Sequence, residues 1–577
     1  MVATVSNEQA ERPVAEKPKG LKLLLAAFKN RKLGIQLAFG FSSGLPYALL
    51  LGTLYAWLGE AKVDLETMGV FSLIGLAYAF KFLWSPAVDR VQLPLLGRLG
   101  RRKSWIALAQ LMIGTFLIIM SMMNPQTSLG LFSLMAGLGA FASATQDIVI
   151  DAWRVDVADE TATLEILSAA YQLGFRSASL LGGAIALVLA QRYGWPAVYG
   201  GMGVIMLSLF FVTLAAPDTP RPAADLNVDH LREAGQIEPR VRMIALAIVG
   251  ILWGWALITV LNFMIVSLNA TPENRPDSKE FLQSYGLLIV IATVIIPGII
   301  AALLEYWRRS GQYVLTETTR ATSGSQRGLD YVYNALITPL AELIGRLRWA
   351  AILVLAIILT YRFTDAVWGP FALPFYLQEL HYTNDEVAIA SKIFGILMIM
   401  VGISLGAVSF ATLGRMPTLI FGALVAALTN LLYADLASGG YYLDIFGRNT
   451  GFYALIGGVG SLLNFEHSER LARLMLAIAG ENLASGLAGA AYVAYLSSIV
   501  SKKYSAVQYA LMSSLTLLVG TLGRGALGQM IEQQGYVPVF WLTMWLGMIA
   551  VVLCIFEWVR EMRQPQTVAP DVVQQLN

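Results

Sequence analysis

Ten charged side chains stand inside or at the ends of long apolar runs: Lys81, Asp147, Asp151, Arg176, Arg362, Asp365, Lys392, Asp435, Glu481 and Arg524. A charge at the centre of a membrane helix costs about 2.5–3.5 kcal/mol on insertion scales, so the five cations among them represent on the order of 15 kcal/mol, as much as the whole stability of a domain. They must face water, one another or a ligand. Asp147 and Glu481 are candidates for proton coupling. Each lies within an apolar run beside an amide, Gln146 and Asn482, and a carboxyl in low dielectric favours its neutral form, so it can load and release a proton as its exposure alternates between two sides. Lys81, Arg176 and Lys392 have no carboxylate three or four residues away, which points to a cavity that binds an anion. Arg362, Arg524, Gln146, Asn482 and Asp151 complete the candidate binding set. Asp365, three residues past Arg362, either pairs with it on one helix face or joins the proton-coupling acids. Asp151, with Arg154 and Asp156, is either a structural charge network or a substrate contact, and Asp435 sits near enough to a run's end to reach the interface.

Other chemistries find no residues. Cys554 is the single cysteine, and His230, His381 and His467 are scattered without ligand spacing, so disulfide, zinc and other metal sites are not expected. No glycine precedes a lysine, which excludes a G-x-x-x-x-G-K-[ST] phosphate loop and leaves protons as the expected coupling ion, with no cofactor.

The elements that must position these residues are membrane helices. Of 577 residues 56% are hydrophobic and 14% charged, whereas a soluble domain carries about 25% charged residues. Apolar runs of about 20 residues, the length that crosses a bilayer with every backbone group bonded internally, fall near 34–58, 67–87, 105–123, 129–151, 165–190, 196–216, 243–268, 284–305, 349–378, 385–410, 417–436, 471–500, 506–532 and 537–559. That is about fourteen spans. Most of the 40 lysines and arginines fall in the alternate connecting segments that include the N-terminus, which predicts both termini cytoplasmic. The N-terminal stretch reads as too polar for a cleavable signal peptide. Residues 328–348 carry leucines at helical spacing, as an interfacial helix bent at Pro339 or a loop helix packed on protein would, and the Gly-rich 449–464 reads as a periplasmic loop or re-entrant piece.

Internal repetition organises the spans. Trp57-Leu58-Gly59-Glu60, followed by Thr67-Met68-Gly69-Val70, has a counterpart in Tyr376-Leu377-Gln378-Glu379 followed by Glu386-Val387-Ala388-Ile389. Likewise Gly194-Trp195-Pro196 corresponds to Gly535-Tyr536-Val537-Pro538. The expected division is a tail (1–33), a six-helix bundle (34–216), a linker with two inserted spans (217–348), a second six-helix bundle (349–560) and a tail (561–577). Gly44 and Pro46 in the first span, and Gly369 and Pro370 in its repeat mate, are the expected breaks that allow one bundle to rock on the other. Asp89-Arg90, followed by Gly97-Arg98-Leu99-Gly100-Arg101-Arg102-Lys103, is an acid at a helix end before a basic turn, the pieces of a latch between helices.

That loop resembles the signature between the second and third helices of major facilitator transporters, with extra residues between Arg90 and Gly97. Longer strings, Phe41-Ser42-Ser43-Gly44-Leu45-Pro46, Phe80-Lys81-Phe82-Leu83-Trp84-Ser85-Pro86, the stretch Ala142 to Trp153, Glu481-Asn482-Leu483-Ala484-Ser485-Gly486 and Tyr504 to Leu511, resemble AmpG-type muropeptide permeases. The resemblance covers roughly 34–216 and 349–560, and departs from the family at the stretched turn and in the longer segments 306–348 and 437–470. It implies an all-α major facilitator fold with two inserted helices in a bacterial inner membrane. It also implies proton-driven import of N-acetylglucosaminyl-1,6-anhydro-N-acetylmuramic acid, with or without stem peptide, for cell-wall recycling and β-lactamase induction. The expected partners are this anionic substrate and membrane lipid, not nucleic acid, and the expected state is a monomer. Two other readings fit parts of the pattern: an acetyl-coenzyme A or other organic-anion carrier, and a membrane-embedded enzyme of cell-wall intermediates. Against the enzyme stand the repeat and the lack of a nucleophile or metal constellation.

Overall fold

The computed structural model describes residues 20–63, 71, 73–94, 96–219, 237–270, 274, 276–314, 332–363, 371–463 and 468–563. In chain order the helices are α1 (Leu21–Lys29), α2 (Arg31–Glu60), α3 (Leu73–Ala79), α4 (Ser85–Arg90), α5 (Arg101–Ser121), α6 (Leu129–Val157), α7 (Leu164–Tyr193), α8 (Trp195–Ala215), α9 (Pro239–Ser267) and α10 (Leu282–Ser310). They continue as α11 (Thr338–Leu347), α12 (Ala350–Thr360), α13 (Asn384–Leu413), α14 (Arg415–Ala437), α15 (Tyr441–Asn449), α16 (Phe452–Leu463), α17 (Glu469–Ile499), α18 (Ser505–Gln534) and α19 (Tyr536–Arg563).

Among the described residues 11 helices are long and apolar enough to cross a membrane, or 12 if the bent pair α11–α12 is one span. Each of the 11 coincides with a span expected from sequence. The remaining three expected spans differ in kind. The second is split into α3 and α4, the ninth runs from α12 into 364–370, outside the described residues, and the thirteenth is the continuous 30-residue α18. The tails 1–19 and 564–577 also lie outside them.

Two local expectations change, and a third gains detail. Pro46 does not interrupt α2: the helix runs through it and relaxes into a π segment, Leu49–Thr53, because a proline's lost hydrogen bond can be absorbed by a local change of pitch. Pro339 occupies the first turn of α11, where its missing N–H costs nothing, and the sharp 105° corner falls instead at Arg348, with a φ of 56°. Within the Gly-rich stretch, Phe452–Leu463 form α16, a 12-residue helix too short to cross, as a loop or re-entrant piece would be. It is tied down through α15, where Arg473 of α17 holds Asp444 with two bonds of 2.7 and 2.6 Å and Tyr453 donates a third of 2.7 Å. These donors, chiefly the guanidinium, hold the Asp444 carboxyl below the usual carboxylate range.

Without a hydrophobic drive between helices in lipid, close seams depend on small residues. A Cβ at Gly40 would land on the Tyr171 carbonyl and one at Gly174 on the Leu37 carbonyl, so α2 and α7 meet backbone to backbone. Gly402 and Gly486 play the same part between α13 and α17, against Leu483 and Ile399. Helices α9 and α10 are joined by the Trp253 indole, which donates to the Thr293 carbonyl at 3.1 Å. The same indole packs edge-on against Phe82 at 6.5 Å, bracing the turn between α3 and α4.

The seam makes a paired prediction. Gly174→Ala forces a methyl into a backbone carbonyl and should destabilise the protein by about 3 kcal/mol, whereas Gly183→Ala, nine residues along the same helix with open space around it, should be neutral. Thermal unfolding of the two purified variants checks this, and equal midpoints would refute the seam.

Candidate functional site

Lys81 rides on a break in a helix. The second span ends as α3 at Ala79, turns through a 3₁₀ segment Lys81–Leu83, and restarts as α4 with Pro86 in its first turn. Irregular backbone at membrane depth persists only when its freed groups are satisfied within the protein, and here the Ser85 hydroxyl donates to the Phe82 carbonyl at 2.9 Å. The turn aims the Lys81 ammonium at Asp147 of α6, with Nζ 3.5 Å from Oδ2 and both side chains largely buried. The other carboxylate oxygen accepts from Ser43 of α2, whose hydroxyl also lies 3.1 Å from the Tyr171 hydroxyl of α7. Lys81, without a carboxylate on its own helix, thus finds one on another.

Gln146, next to Asp147, points elsewhere. Its amide donates to Ser42 at 2.7 Å, within a buried chain in which Gln110 donates to Ser42 and Thr213 to Gln110. That amide is spent on holding α2, α5, α6 and α8 together.

In the second half Glu481 of α17 accepts from the Tyr433 hydroxyl of α14, which lies 2.8 Å from the Tyr376 hydroxyl on a π segment, Phe375–Glu379. Asn482 places its amide against Gly395 of α13. Lys392 is exposed on the π segment Ala388–Phe394 of α13. Arg362 of the second half and Gln172 of α7 converge on Gly489: a methyl there would lie 3.6 Å from Arg362 Nη1 and 4.0 Å from Gln172 Nε2. Arg176, one turn further along α7, is half-buried with its guanidinium carbon 6.0 Å from the Phe175 ring centre. Asp435 caps α15 through the N–H groups of Tyr442 and Leu443. Asp365, Gly369 and Pro370 lie outside the described residues, as do the side chains of Arg90 and Arg524. Gly44 is buried against Phe175 and Ala178 of α7, a packing contact.

The structure therefore groups Lys81 with Asp147, sets Glu481 apart with Tyr433 and Tyr376, and brings Arg362 to α7 across the two halves. Ser43, Tyr171, Tyr433, Tyr376 and Gln172 were not among the residues picked from sequence. The signal available was hydroxyl and amide side chains on apolar helices, too common to single out.

The basic loop forms a latch in which Arg102 is the cation that meets Asp89, and the Arg90 side chain lies outside the described residues. Arg102, fully buried, bonds Asp89 at 2.7 Å, Asp156 at 2.9 Å and the Ser505 hydroxyl of α18 at 2.9 Å. Asp89 also accepts the Val507 N–H at 3.2 Å, at the positive end of α18. Alongside, Arg154 bonds Asp151 at 3.0 Å and Ser497 of α17 at 3.0 Å, and sits between the rings of Tyr171 and Tyr509. Asp151 is thus engaged by a buried arginine. In this conformation the halves are joined at the Arg102 end.

Apolar helices of bilayer length packed around buried, partnered charges define a multi-pass membrane protein with a major facilitator-type fold. Over nearly its whole length the chain is similar to AmpG-type transporters, in line with the motifs read above. It is 26% identical over 531 residues to the putative transporter AmpG 4 of Rickettsia conorii, covering 92% of this chain and 97% of that one. It is 27% identical over 533 residues to the anhydromuropeptide permease of Escherichia coli K12, covering 92% and 79%. Residues 34–192 match the model of a family described as acetyl-coenzyme A transporter 1. Among solved structures, the POT family transporter PepTSo shares the fold with a TM-score of 0.50 at 14% identity, over 92% of this chain and 99% of that one. The curated relatives are named as transporters and permeases rather than enzymes.

Arg102→Met would leave Asp89 buried without its cation, while Asp156 keeps Arg101 at 3.5 Å, a change that costs about 3–5 kcal/mol where one partner of a buried pair is removed. In a Cys554→Ser chain carrying Ser497→Cys, this variant should react several-fold faster with a water-soluble maleimide than the same chain with Arg102 intact. Equal rates would show that the latch does not hold this end shut.

Proposed function

We propose that the chain imports anhydromuropeptides across the bacterial inner membrane in symport with protons, moving them from periplasm to cytoplasm by alternating access. The observation that carries this reading is the Lys81–Asp147 pair, set on a broken helix and held by Ser43 and Tyr171. The substrate class is suggested by the permease relative from Escherichia coli. A muropeptide carries carboxylates, and one that approaches Lys81 competes with Asp147 for the ammonium. A carboxylate that loses its cation in low dielectric is tolerable only with a proton. Binding of the anion and uptake of a proton are then one event. Arg362, reaching α7 from the other half, offers a second cation to a ligand held between the bundles. The excess of basic residues at the Arg102 end marks it as cytoplasmic in this reading, so the described conformation, joined there, is the one that receives substrate from outside. Release follows when the latch opens.

The experiment is uptake of labelled N-acetylglucosaminyl-1,6-anhydro-N-acetylmuramyl tripeptide into proteoliposomes under an imposed pH gradient. Wild type should accumulate it. Asp147→Asn should lose accumulation by at least an order of magnitude while keeping downhill exchange, and Glu481→Gln tests the second acid in the same way. Undiminished gradient-driven uptake by Asp147→Asn would remove the proposed coupling. Absence of uptake by wild type under either polarity would remove the substrate. The family match over 34–192 favours one further reading, a carrier of acetyl-coenzyme A, which the same vesicles decide if that compound enters and the muropeptide does not.

A further inference from the structure

An open cleft of about 870 Å³ lies where the corner between α11 and α12 meets the last turns of α19. Five arginines line it, Arg309, Arg346, Arg348, Arg560 and Arg563, and among the described residues no carboxylate does. Three of the five have their charge answered from behind the wall: Arg309 by Glu305 at 2.7 Å, Arg346 by Glu342 at 2.9 Å and Arg560 by Glu557 at 2.6 Å. Arg348 and Arg563 are exposed and have no ion-pair partner among the described residues. Among the described residues, and with Glu305 shared between Arg309 and Arg308, the cleft therefore keeps at least two positive charges uncompensated.

Its position says what would neutralise them. α19 is long and apolar enough to cross a membrane, and Arg560 and Arg563 stand in its last turn, the level of lipid head groups. On the membrane side of the arginines the surface turns apolar and aromatic, with Trp349 68% exposed, Ile352 75% and Phe556 60%. Exposed indole at a helix end, beside arginines, is the signature of a membrane interface. A free anion would use the arginines and leave this apolar rim in water. An amphiphile with an anionic head and acyl chains would cover both.

We propose that this cleft binds the phosphate head group of an anionic phospholipid, with the acyl chains lying along Trp349, Ile352 and Phe556. The site is wired to the latch. Arg309 donates to the Gly345 carbonyl, and Arg346 to the Ile499 carbonyl at the end of α17. Glu342 and the Pro339 carbonyl accept from Gln508 in the first turns of α18. A lipid that fixes the α11–α12 corner thus steadies the segment that supports the joined end of the two halves.

The test is a thermal-shift titration of the full purified chain in neutral detergent with dioleoylphosphatidylglycerol, dioleoylphosphatidylcholine or inorganic phosphate at matched phosphate concentration. Phosphatidylglycerol should raise the unfolding midpoint, and the other two should not. Each basic residue near a charged lipid surface contributes enough that Arg348→Ala/Arg563→Ala should bind phosphatidylglycerol about 30-fold more weakly. Arg348→Lys/Arg563→Lys, which keeps the charge, should retain most of the affinity. Equal shifts with both lipids, a shift reproduced by inorganic phosphate, or wild-type affinity in the alanine variant would each overturn the assignment. If the alanine variant does not fold, the three ligands on wild type and the lysine variant decide it.

Discussion

Everything at the centre of this protein depends on two opposite charges meeting across helices at membrane depth. Neither Lys81 nor Asp147 could stay there alone. They meet because α3 stops short and a 3₁₀ turn swings the lysine towards α6. The carboxylate is held in place because α2 and α7 approach closely enough for Ser43 and Tyr171 to stand beside it. That approach in turn requires Gly40 and Gly174, where any side chain would strike backbone. Helix α9 contributes as well: Trp253 packs on Phe82, the residue after Lys81. The pair, the glycine seam and α9 form one mechanical unit.

A division of labour governs the latch. The ion pairs Arg102–Asp89, Arg102–Asp156 and Arg154–Asp151 all lie within the first half. What crosses to the second half is uncharged: the hydroxyls of Ser505 and Ser497 and the N–H of Val507. Had the salt bridges themselves spanned the halves, opening would strand buried charges at a cost of several kcal/mol each. As built, opening breaks a few bonds worth about 1–3 kcal/mol each, which water can replace. A joint of this kind closes firmly and opens cheaply.

Sequence patterning revealed the helices because apolar runs of bilayer length are a strong signal, and all 11 helices that meet the membrane test were expected. It misplaced the irregular points. Pro46 and Pro339 looked like breaks, yet a π segment absorbs the first and the second merely begins a helix. The true break, at Lys81, carries its proline five residues later, at Pro86. The charged candidates were legible as a class, since cost alone marks them, but not their partners. Asp147 lies 66 residues from Lys81, and no local spacing rule reaches so far. The basic run after Asp89 was legible as a latch, but not that Arg102 is its buried member, because a run does not say which residue turns inward.

The two halves share a rule beneath their different chemistry. In each, the acid sits on a long regular helix, Asp147 on α6 and Glu481 on α17. The polar groups that meet it lead to an irregular segment: the 3₁₀ turn of Lys81, and through Tyr433 the π segment that holds Tyr376. Regular helices with satisfied backbone are the stiff parts of a membrane protein, and departures from them are where motion is least costly. The acids are thus fixed, while Lys81 and Tyr376 ride on the parts that can shift. A carboxyl whose surroundings change while it stays still is one whose charge can be stabilised differently in two conformations without the carboxyl itself moving.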